Sequence, residues 1–136
     1  MNEDKIIEEY LNAQLLCVGN LRDASQIIKN IFEKLISARD NDQTIYIMGN
    51  GGSASTATHF TSDLLKTSII KSKKRFKAHS LSDNIPVVLA WANDDEYNNI
   101  FLGQLENFLK KNDIVIGFSG SGNSENVIKA IEFANN

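Results

Sequence analysis

The 136-residue sequence is poor in cysteine, in long apolar runs and in repeats, and each scarcity excludes a class of protein. Its one cysteine, Cys17, cannot form an internal disulfide, and the apolar helical pattern around it predicts a buried structural thiol. No apolar run approaches the ~20 residues that span a bilayer, and no Lys- or Arg-flanked apolar segment opens the chain. We therefore expect no membrane partner and a cytoplasmic location.

Neither acidic nor basic residues are in large excess. The net charge is −3, 23% of the residues are charged and 42% are hydrophobic, as in an ordinary globular domain. This balance gives no reason to expect a nucleic-acid partner. The length fits a single domain, residues 1–136, with enough chain to bury a core.

Two long helices are predicted at the start of the chain, over residues 3–17 and from about 21 to 38, with a Gly-Asn break between them. Each carries a wide apolar stripe at three- and four-residue spacing, with members such as Leu15 and Phe32. The stripes can cover the core of the domain or form an oligomer interface, and the pattern alone leaves both readings open.

From residue 43 onward, strands alternate with helices. Strands are predicted at 44–48, 76–81 and 113–118, and helices at about 53–65, 82–91, 96–109 and 124–136. The first strand is an unbroken apolar run, which suits a strand buried on both faces of a parallel sheet. We therefore predict an α/β core over about 43–136, built from a parallel sheet with helices on both faces.

A loop of serines and glycines, residues 119–124, follows the third strand and precedes the last helix. A glycine such as Gly120 lets the backbone approach a ligand, and the free N–H groups of a helix's first turn attract anions. The hydroxyls of Ser119, Ser121 and Ser124 add donors for phosphate oxygens. The sequence therefore predicts a phosphate site at this loop.

A second loop of the same kind, residues 49–53, follows the first strand. Asn50, Gly51, Gly52 and Ser53 offer backbone N–H groups, an amide and a hydroxyl, which suit the hydroxyls and phosphate of a sugar phosphate. Ser53 can also simply be the N-cap of the next helix. The loop matches neither the Walker A motif nor the dinucleotide fingerprint, so we expect no nucleotide cofactor. Because both loops end parallel strands, a shared ligand crevice is predicted.

His59 and Asp63 lie four residues apart on the helix after this loop and therefore share a face. Such a pair can act as acid and base or hold a metal ion, and it can also be an ordinary surface pair. Asn93 and Asp94 precede a predicted helix, where capping is a sufficient role. The basic residues within 66–77 form either a solvated loop or an electropositive flap near an anionic ligand.

Together these motifs resemble the sugar isomerase (SIS) domain superfamily, and within it the bacterial phosphoheptose isomerases. The resemblance covers the whole chain and rests on residues 49–53, His59-Phe60, Leu81-Ser82-Asp83, Asn93-Asp94 and 119–127. It implies a flavodoxin-like, three-layer α/β/α fold with two N-terminal helices. It also implies a homotetramer held largely by those helices, with an active site between subunits.

The resemblance implies a reaction as well, in which sedoheptulose 7-phosphate is converted to a heptose 7-phosphate that supplies surface polysaccharides. The residues implied to bind the phosphate are Ser119, Gly120, Ser121 and Ser124, and those implied to contact the sugar are Asn50, Gly51, Gly52, Ser53, Asn93 and Asp94. Asp63 would be the base that moves a proton between C1 and C2 through an enediol, with His59 as its partner. Because some members bind zinc at these positions, one zinc per subunit is expected on His59 and Asp63.

The chain departs from the family pattern at three places. Asp63 stands where the family has glutamate, so the carboxylate is shorter by one C–C bond of roughly 1.5 Å. Thr67 stands where the family has an arginine. The family's closing region, with a further glutamine and a catalytic histidine, lies beyond Asn136, so we expect the fold to be truncated at its C-terminus.

Two other functions stay open. A non-catalytic SIS module would sense a phosphosugar or bind a protein partner, as in the replication-initiator-associating proteins that resemble these isomerases. An isomerase acting on another phosphosugar, such as a hexose or pentose phosphate, would use the same loops.

Overall fold

The order of the elements is the one that the sequence predicts, two helices followed by strands that alternate with helices. The computed structural model describes residues 2–136. The elements are α1 (Glu3–Asn20), α2 (Ser25–Asp40), β1 (Thr44–Gly49), α3 (Gly52–Ser62), β2 (Lys77–Ser80), α4 (Ile85–Asp94), α5 (Leu102–Phe108), β3 (Ile114–Phe118) and α6 (Glu125–Asn135). A π-helical turn, Asp63–Thr67, extends α3, and a 3-10 turn, Tyr97–Asn99, precedes α5. Among the helices of residues 2–136, none is both long and apolar enough to cross a membrane.

The described residues fall into two units, one up to Lys34 and one from Leu35 to Asn136. The first unit contains α1, which begins where the Asn2 side chain accepts a hydrogen bond from the Asp4 N–H at 3.2 Å. None of the residues of α1 is buried, so its apolar stripe is exposed in the part of the chain that the structure describes. The prediction of a buried Cys17 is wrong, because Cys17 lies on this exposed helix.

β1 is the central strand of the second unit. It lies between β2 and β3 in a parallel sheet, and every residue after the first is buried. On one face, Ile45 and Ile47 pack in a cluster with Ala38 of α2 and Ala57 of α3. This burial confirms the prediction of a first strand enclosed by the sheet and its helices.

Helices also cover the opposite face of the sheet. There Tyr46 and Met48 pack with Leu105 of α5 and Ala130 of α6. The sheet therefore has helices on both sides, which confirms the predicted three-layer α/β/α fold. In register, the end of β1 lies beside the ends of β2 and β3, so all three strands finish at one edge, the carboxyl edge.

At the opposite edge of the sheet, hydrogen bonds and an ion pair from side chains hold the first residues of the strands in place. The Asp113 carboxylate accepts a hydrogen bond from the Thr44 N–H at 2.8 Å. Asp42 accepts one from Lys74 Nζ at 2.6 Å and pairs with Lys77 Nζ at 3.5 Å. The hydrogen bond and charge of Lys74 hold the pKa of Asp42 below its usual value. These two lysines of the basic segment therefore lie away from the carboxyl edge, and the flap prediction is wrong for them.

α3 begins earlier than predicted. Gly51, at φ 53°, precedes the first helical residue, Gly52, and offers no side-chain cap. The Asn50 carbonyl accepts hydrogen bonds from the N–H groups of Ser53 and Ala54 at 2.9 and 3.3 Å. Because the left-handed backbone at Gly51 starts the turn, Ser53 lies inside it, and the prediction of Ser53 as N-cap is wrong.

The segment between β2 and β3 also differs from the prediction. α4 continues to Asp94, so Asn93 and Asp94 close this helix instead of capping the next one. The single helix predicted over 96–109 is divided into the 3-10 turn and α5. In the 3-10 turn, Asn98 Nδ2 donates to the Glu125 carboxylate at 2.6 Å and Asn99 Nδ2 to the Asp95 carboxylate at 2.9 Å.

Gly103 of α5 marks a very close approach to α4, because a Cβ built there would overlap the Trp91 ring. We expect G103A to lower the free energy of unfolding in urea by about 1–3 kcal/mol, since overpacking outweighs the ~1 kcal/mol that alanine gains in a helix. Gly52 is a matched control, because a Cβ there would meet nothing within 4 Å. G52A, which is also helical, should be at least as stable as the wild type, and equal unfolding midpoints for the two variants would contradict the close contact.

Candidate functional site

Polar loops meet at the carboxyl edge of the sheet. The loop after β1 and the start of α6 are joined by Asn50 and Asn126, whose side-chain amides each donate to the other's oxygen at 2.9 Å. The loop after β2 is joined to β1 where Ser82 Oγ donates to the Gly49 carbonyl at 3.0 Å. The two glycine-containing loops therefore lie side by side.

The loop after β1 offers mainly backbone N–H groups. Gly51 adopts φ 53°, a conformation that glycine reaches without steric cost. Across residues 2–136, the N–H groups of Gly51 and Gly52 find no acceptor. The Asn50 side chain, in contrast, is engaged by Asn126 and by the Tyr97 hydroxyl, which donates to Asn50 Oδ1 at 3.0 Å. A ligand at this loop would thus meet free N–H donors.

The serine loop, residues 119–124, is folded by its own hydroxyls. Ser119 Oγ and Ser124 Oγ lie 3.1 Å apart, and the Gly122 N–H donates to Ser119 Oγ at 3.1 Å. Gly122 is in the left-handed region at φ 69°, where a side chain would be strained. The two outer serines are therefore drawn together on one side of the loop.

Several N–H groups of the serine loop and of the first turn of α6 are free. In the described part of the chain, those of Gly120, Ser121, Ser124 and Glu125 find no acceptor. They lie at the N-terminal, positive end of an 11-residue helix. Residues 119–126 contain no lysine or arginine. The loop can therefore hold an anion through N–H dipoles and hydroxyls, without a positive charge of its own.

The His59–Asp63 pair lies beside the end of β3. His59 Nε2 is 3.5 Å from Asp63 Oδ2, and the two side chains are 81% and 45% exposed. Thr67 Oγ1 donates to the other carboxylate oxygen, Asp63 Oδ1, at 2.9 Å. The pair lines an open depression of about 530 Å³ together with Phe118, the last residue of β3. Since the serine loop begins at the next residue, the depression lined by His59 and Asp63 reaches the start of that loop.

The pair supplies two donors that zinc accepts, an imidazole nitrogen and a carboxylate oxygen. A catalytic zinc site takes three protein ligands and leaves one position for water or substrate. Within residues 2–136, no group of three or more His, Cys, Asp or Glu side chains is placed to hold a metal ion. His59 and Asp63 therefore provide only part of a zinc site.

Asn93 and Asp94 lie exposed at the end of α4. Asn93 Nδ2 donates to Asp94 Oδ1 at 2.7 Å, and neither side chain hydrogen-bonds to the loops within the described residues. Three residues later, the Tyr97 hydroxyl reaches Asn50. This segment therefore borders the loop after β1 through Tyr97.

Two side chains of this edge, Asn126 and Tyr97, escape prediction from the sequence. Asn126 is only 2% exposed, and its partner Asn50 lies 76 positions away in the chain. The available signal is its place four residues before Ala130, on the inward face of α6. Tyr97 is 54% exposed, and its hydroxyl donates to Asn50 Oδ1.

A family model described as "SIS domain" matches residues 9–136. The chain belongs to the SIS domain family. This SIS domain is 38% identical to the phosphoheptose isomerase of Helicobacter pylori (strain P12), over 98% of this chain and 69% of that protein. It is also 38% identical to the probable phosphoheptose isomerase of Thermoplasma acidophilum, over 98% of this chain and 70% of that protein.

Solved structures agree with this SIS domain in fold. A phosphoheptose isomerase from Francisella tularensis superposes with a TM-score of 0.91 at 26% identity, over 99% of this chain and 71% of that one. The phosphoheptose isomerase of Neisseria gonorrhoeae superposes with a TM-score of 0.77 at 27% identity, over 95% and 69%. The resemblance to phosphoheptose isomerases stated from the sequence is therefore confirmed.

Proposed function

We propose that this SIS domain is an aldose–ketose isomerase that converts sedoheptulose 7-phosphate to a heptose 7-phosphate for surface polysaccharides. The observation that carries the proposal is the Asn50–Asn126 contact, which sets a loop with free N–H groups beside a serine loop of the same kind. The His59–Asp63 pair lies at the same edge. Relatives named phosphoheptose isomerase, at 38% identity over nearly the whole chain, support an isomerase.

The two loops would divide the substrate between them. The phosphate would lie at the serine loop, where Ser119, Ser121 and Ser124 and the N–H groups of α6 donate. The sugar hydroxyls would lie at the loop after β1, against the N–H groups of Gly51 and Gly52. The end of α4, with Asn93 and Asp94, would border the sugar.

Asp63 is the proposed base. Its carboxylate would take a proton from C1 of the open-chain ketose and return it to C2 of the enediol, while a proton passes from the C1 hydroxyl to the C2 oxygen. His59 lies 3.5 Å from Asp63 and can carry the hydroxyl proton. No proton is gained or lost overall, as an isomerisation requires. The Thr67 hydroxyl holds the carboxylate from its other oxygen.

Four copies would assemble through the N-terminal helices. The large apolar side chains that these helices expose are Ile6, Ile7, Tyr10, Leu11, Leu15, Leu16, Val18, Ile27, Ile28, Ile31 and Phe32. An exposed apolar surface of this extent is typical of a protein interface. Zinc on His59 and Asp63 and a cytoplasmic location stay predictions from the sequence.

A non-catalytic SIS module is the second candidate. It is favoured by Asp63, because a carboxylate shorter by about one C–C bond, ~1.5 Å, is displaced from the position of the implied glutamate. A displacement of about 1 Å can cost ~100-fold in rate. In such a module the loops would bind a phosphosugar without turnover, and a turnover assay separates the two candidates.

The serine loop can be tested with inorganic phosphate. We expect S119A and S124A each to weaken phosphate binding roughly tenfold by calorimetry, because a hydrogen bond to a charged group contributes about 1.5–3 kcal/mol. S37A, on α2, is the control and should bind phosphate like the wild type. If S119A and S124A both bind phosphate with wild-type affinity, the phosphate does not bind at the serine loop.

The base can be tested with D63N. We expect kcat for sedoheptulose 7-phosphate to fall ~100-fold or more, because the amide cannot accept the C1 proton, while KM changes little. E132Q, an exposed carboxylate change on α6, is the control and should keep full activity. A D63N variant with wild-type kcat would remove Asp63 from the mechanism. A folded wild type that binds the substrate without turning it over would favour the second candidate.

The assembly can be tested by sedimentation. We expect the wild type to sediment as a tetramer and L15E/F32E to dissociate, because charges would replace apolar side chains in the contact. K5E, on the polar side of α1, is the control and should remain tetrameric. A monomeric wild type at micromolar concentration would contradict the proposed assembly.

A further inference from the structure

Three side chains that bind one another at the carboxyl edge form what we call the amide clamp: Asn50, Asn126 and Tyr97. The amides of Asn50 and Asn126 exchange two hydrogen bonds, both at 2.9 Å. The Tyr97 hydroxyl donates to Asn50 Oδ1 at 3.0 Å. Asn126 is 2% exposed, whereas Tyr97 is 54% exposed. The clamp therefore joins the loop after β1, the start of α6 and the 3-10 turn.

The orientation of both amides follows from a backbone group. The Val127 N–H donates to the Ser124 carbonyl at 3.0 Å and also to Asn126 Oδ1 at 2.9 Å, and a nitrogen in place of that oxygen would bring two donors together. Asn126 Nδ2 then faces Asn50, and the atom that accepts from it must be Asn50 Oδ1. With Tyr97 as a second donor, both lone pairs of Asn50 Oδ1 are used, and a flipped amide would lose these bonds.

The clamp decides what the loop after β1 can present. Because the Asn50 side chain is held within the protein, the donors left for a ligand are the N–H groups of Gly51 and Gly52. Because Asn50 precedes these two glycines, the position of their N–H groups depends on how firmly Asn50 is held. The partner of Asn50, Asn126, is on α6, two residues after Ser124. This contact therefore fixes the position of the loop after β1 relative to the serine loop.

We propose that Asn126 and Tyr97 are positioning residues, which act through Asn50 to hold the N–H groups of Gly51 and Gly52 against the sugar of a substrate whose phosphate lies at the serine loop. This inference rests on the proposed phosphosugar substrate. It assigns the clamp to sugar recognition and not to phosphate binding, since none of its side chains belongs to the serine loop.

The test compares two ligands on the purified full chain by calorimetry, sedoheptulose 7-phosphate and inorganic phosphate. We expect N126A to weaken the binding of sedoheptulose 7-phosphate roughly tenfold and to leave that of phosphate within about twofold, since two hydrogen bonds of ordinary strength are lost. N107A is the control, because among residues 2–136 the Asn107 side chain bonds only to its own helix, at the Gly103 carbonyl. It should bind both ligands like the wild type.

Two results would overturn the proposal at this point. If N126A loses affinity for both ligands equally, Asn126 only supports the start of α6. If N126A binds the sugar phosphate like the wild type, the clamp does not position the loop.

A double-mutant cycle tests whether Asn126 acts through Asn50. N50A and N126A should each weaken sugar-phosphate binding roughly tenfold, and the double variant should also lose roughly tenfold, because both changes break the same contact. A hundredfold loss in the double variant would show independent roles and overturn the proposal. Y97F keeps α6 intact and serves if N126A fails to fold; it should weaken the sugar phosphate severalfold, and unchanged affinity would count against the clamp.

The same measurements separate this inference from the proposed function. A wild type that binds sedoheptulose 7-phosphate without turning it over contradicts the isomerase and leaves the clamp in place. If the wild type binds sedoheptulose 7-phosphate no more tightly than inorganic phosphate, the sugar makes no contact that the clamp could position, and the proposed role of the clamp is wrong.

Discussion

Parallel hydrogen bonding of β1 to both of its neighbours is the constraint on which the rest of the structure depends. Because the three strands run the same way, each must be followed by a return across a face of the sheet. The helices that make these returns bury β1 from both sides. The same geometry places every loop that follows a strand at the carboxyl edge of the sheet. Polar residues that are distant in sequence therefore lie close together there.

At that edge the backbone supplies most of the donors and the side chains mainly hold it in place. Asn50 and Asn126 use their amides on each other, and Ser119 and Ser124 hold the serine loop. The free N–H groups that result are aligned before any ligand arrives, which limits the entropy lost on binding. The exception is Asp63, the proposed base, whose carboxylate is exposed to the depression.

Local signals made the fold and the two loops predictable. The unbroken apolar run of β1 indicated a buried strand, and the four-residue spacing of His59 and Asp63 predicted a contact that is 3.5 Å long in the structure. Prediction failed where a distant or competing contact decides. Ser53 has a strong capping preference, yet the left-handed Gly51 begins α3 first. Asn126 is buried by an amide 76 positions earlier, and no local pattern announces such a partner.

The proposed anchoring of the phosphate at the serine loop affects the energy profile of the proposed reaction. In the proposed substrate the phosphate would lie at the far end of the sugar from the reacting carbons, and its charge would be the same in ketose, enediol and aldose. The N–H dipoles that hold the phosphate stabilise the bound ketose, enediol and aldose equally. Phosphate binding therefore changes neither the activation barrier nor the equilibrium between the two bound isomers. The serine loop would set how long either sugar stays, while the direction of the reaction would depend on the relative amounts of the two isomers.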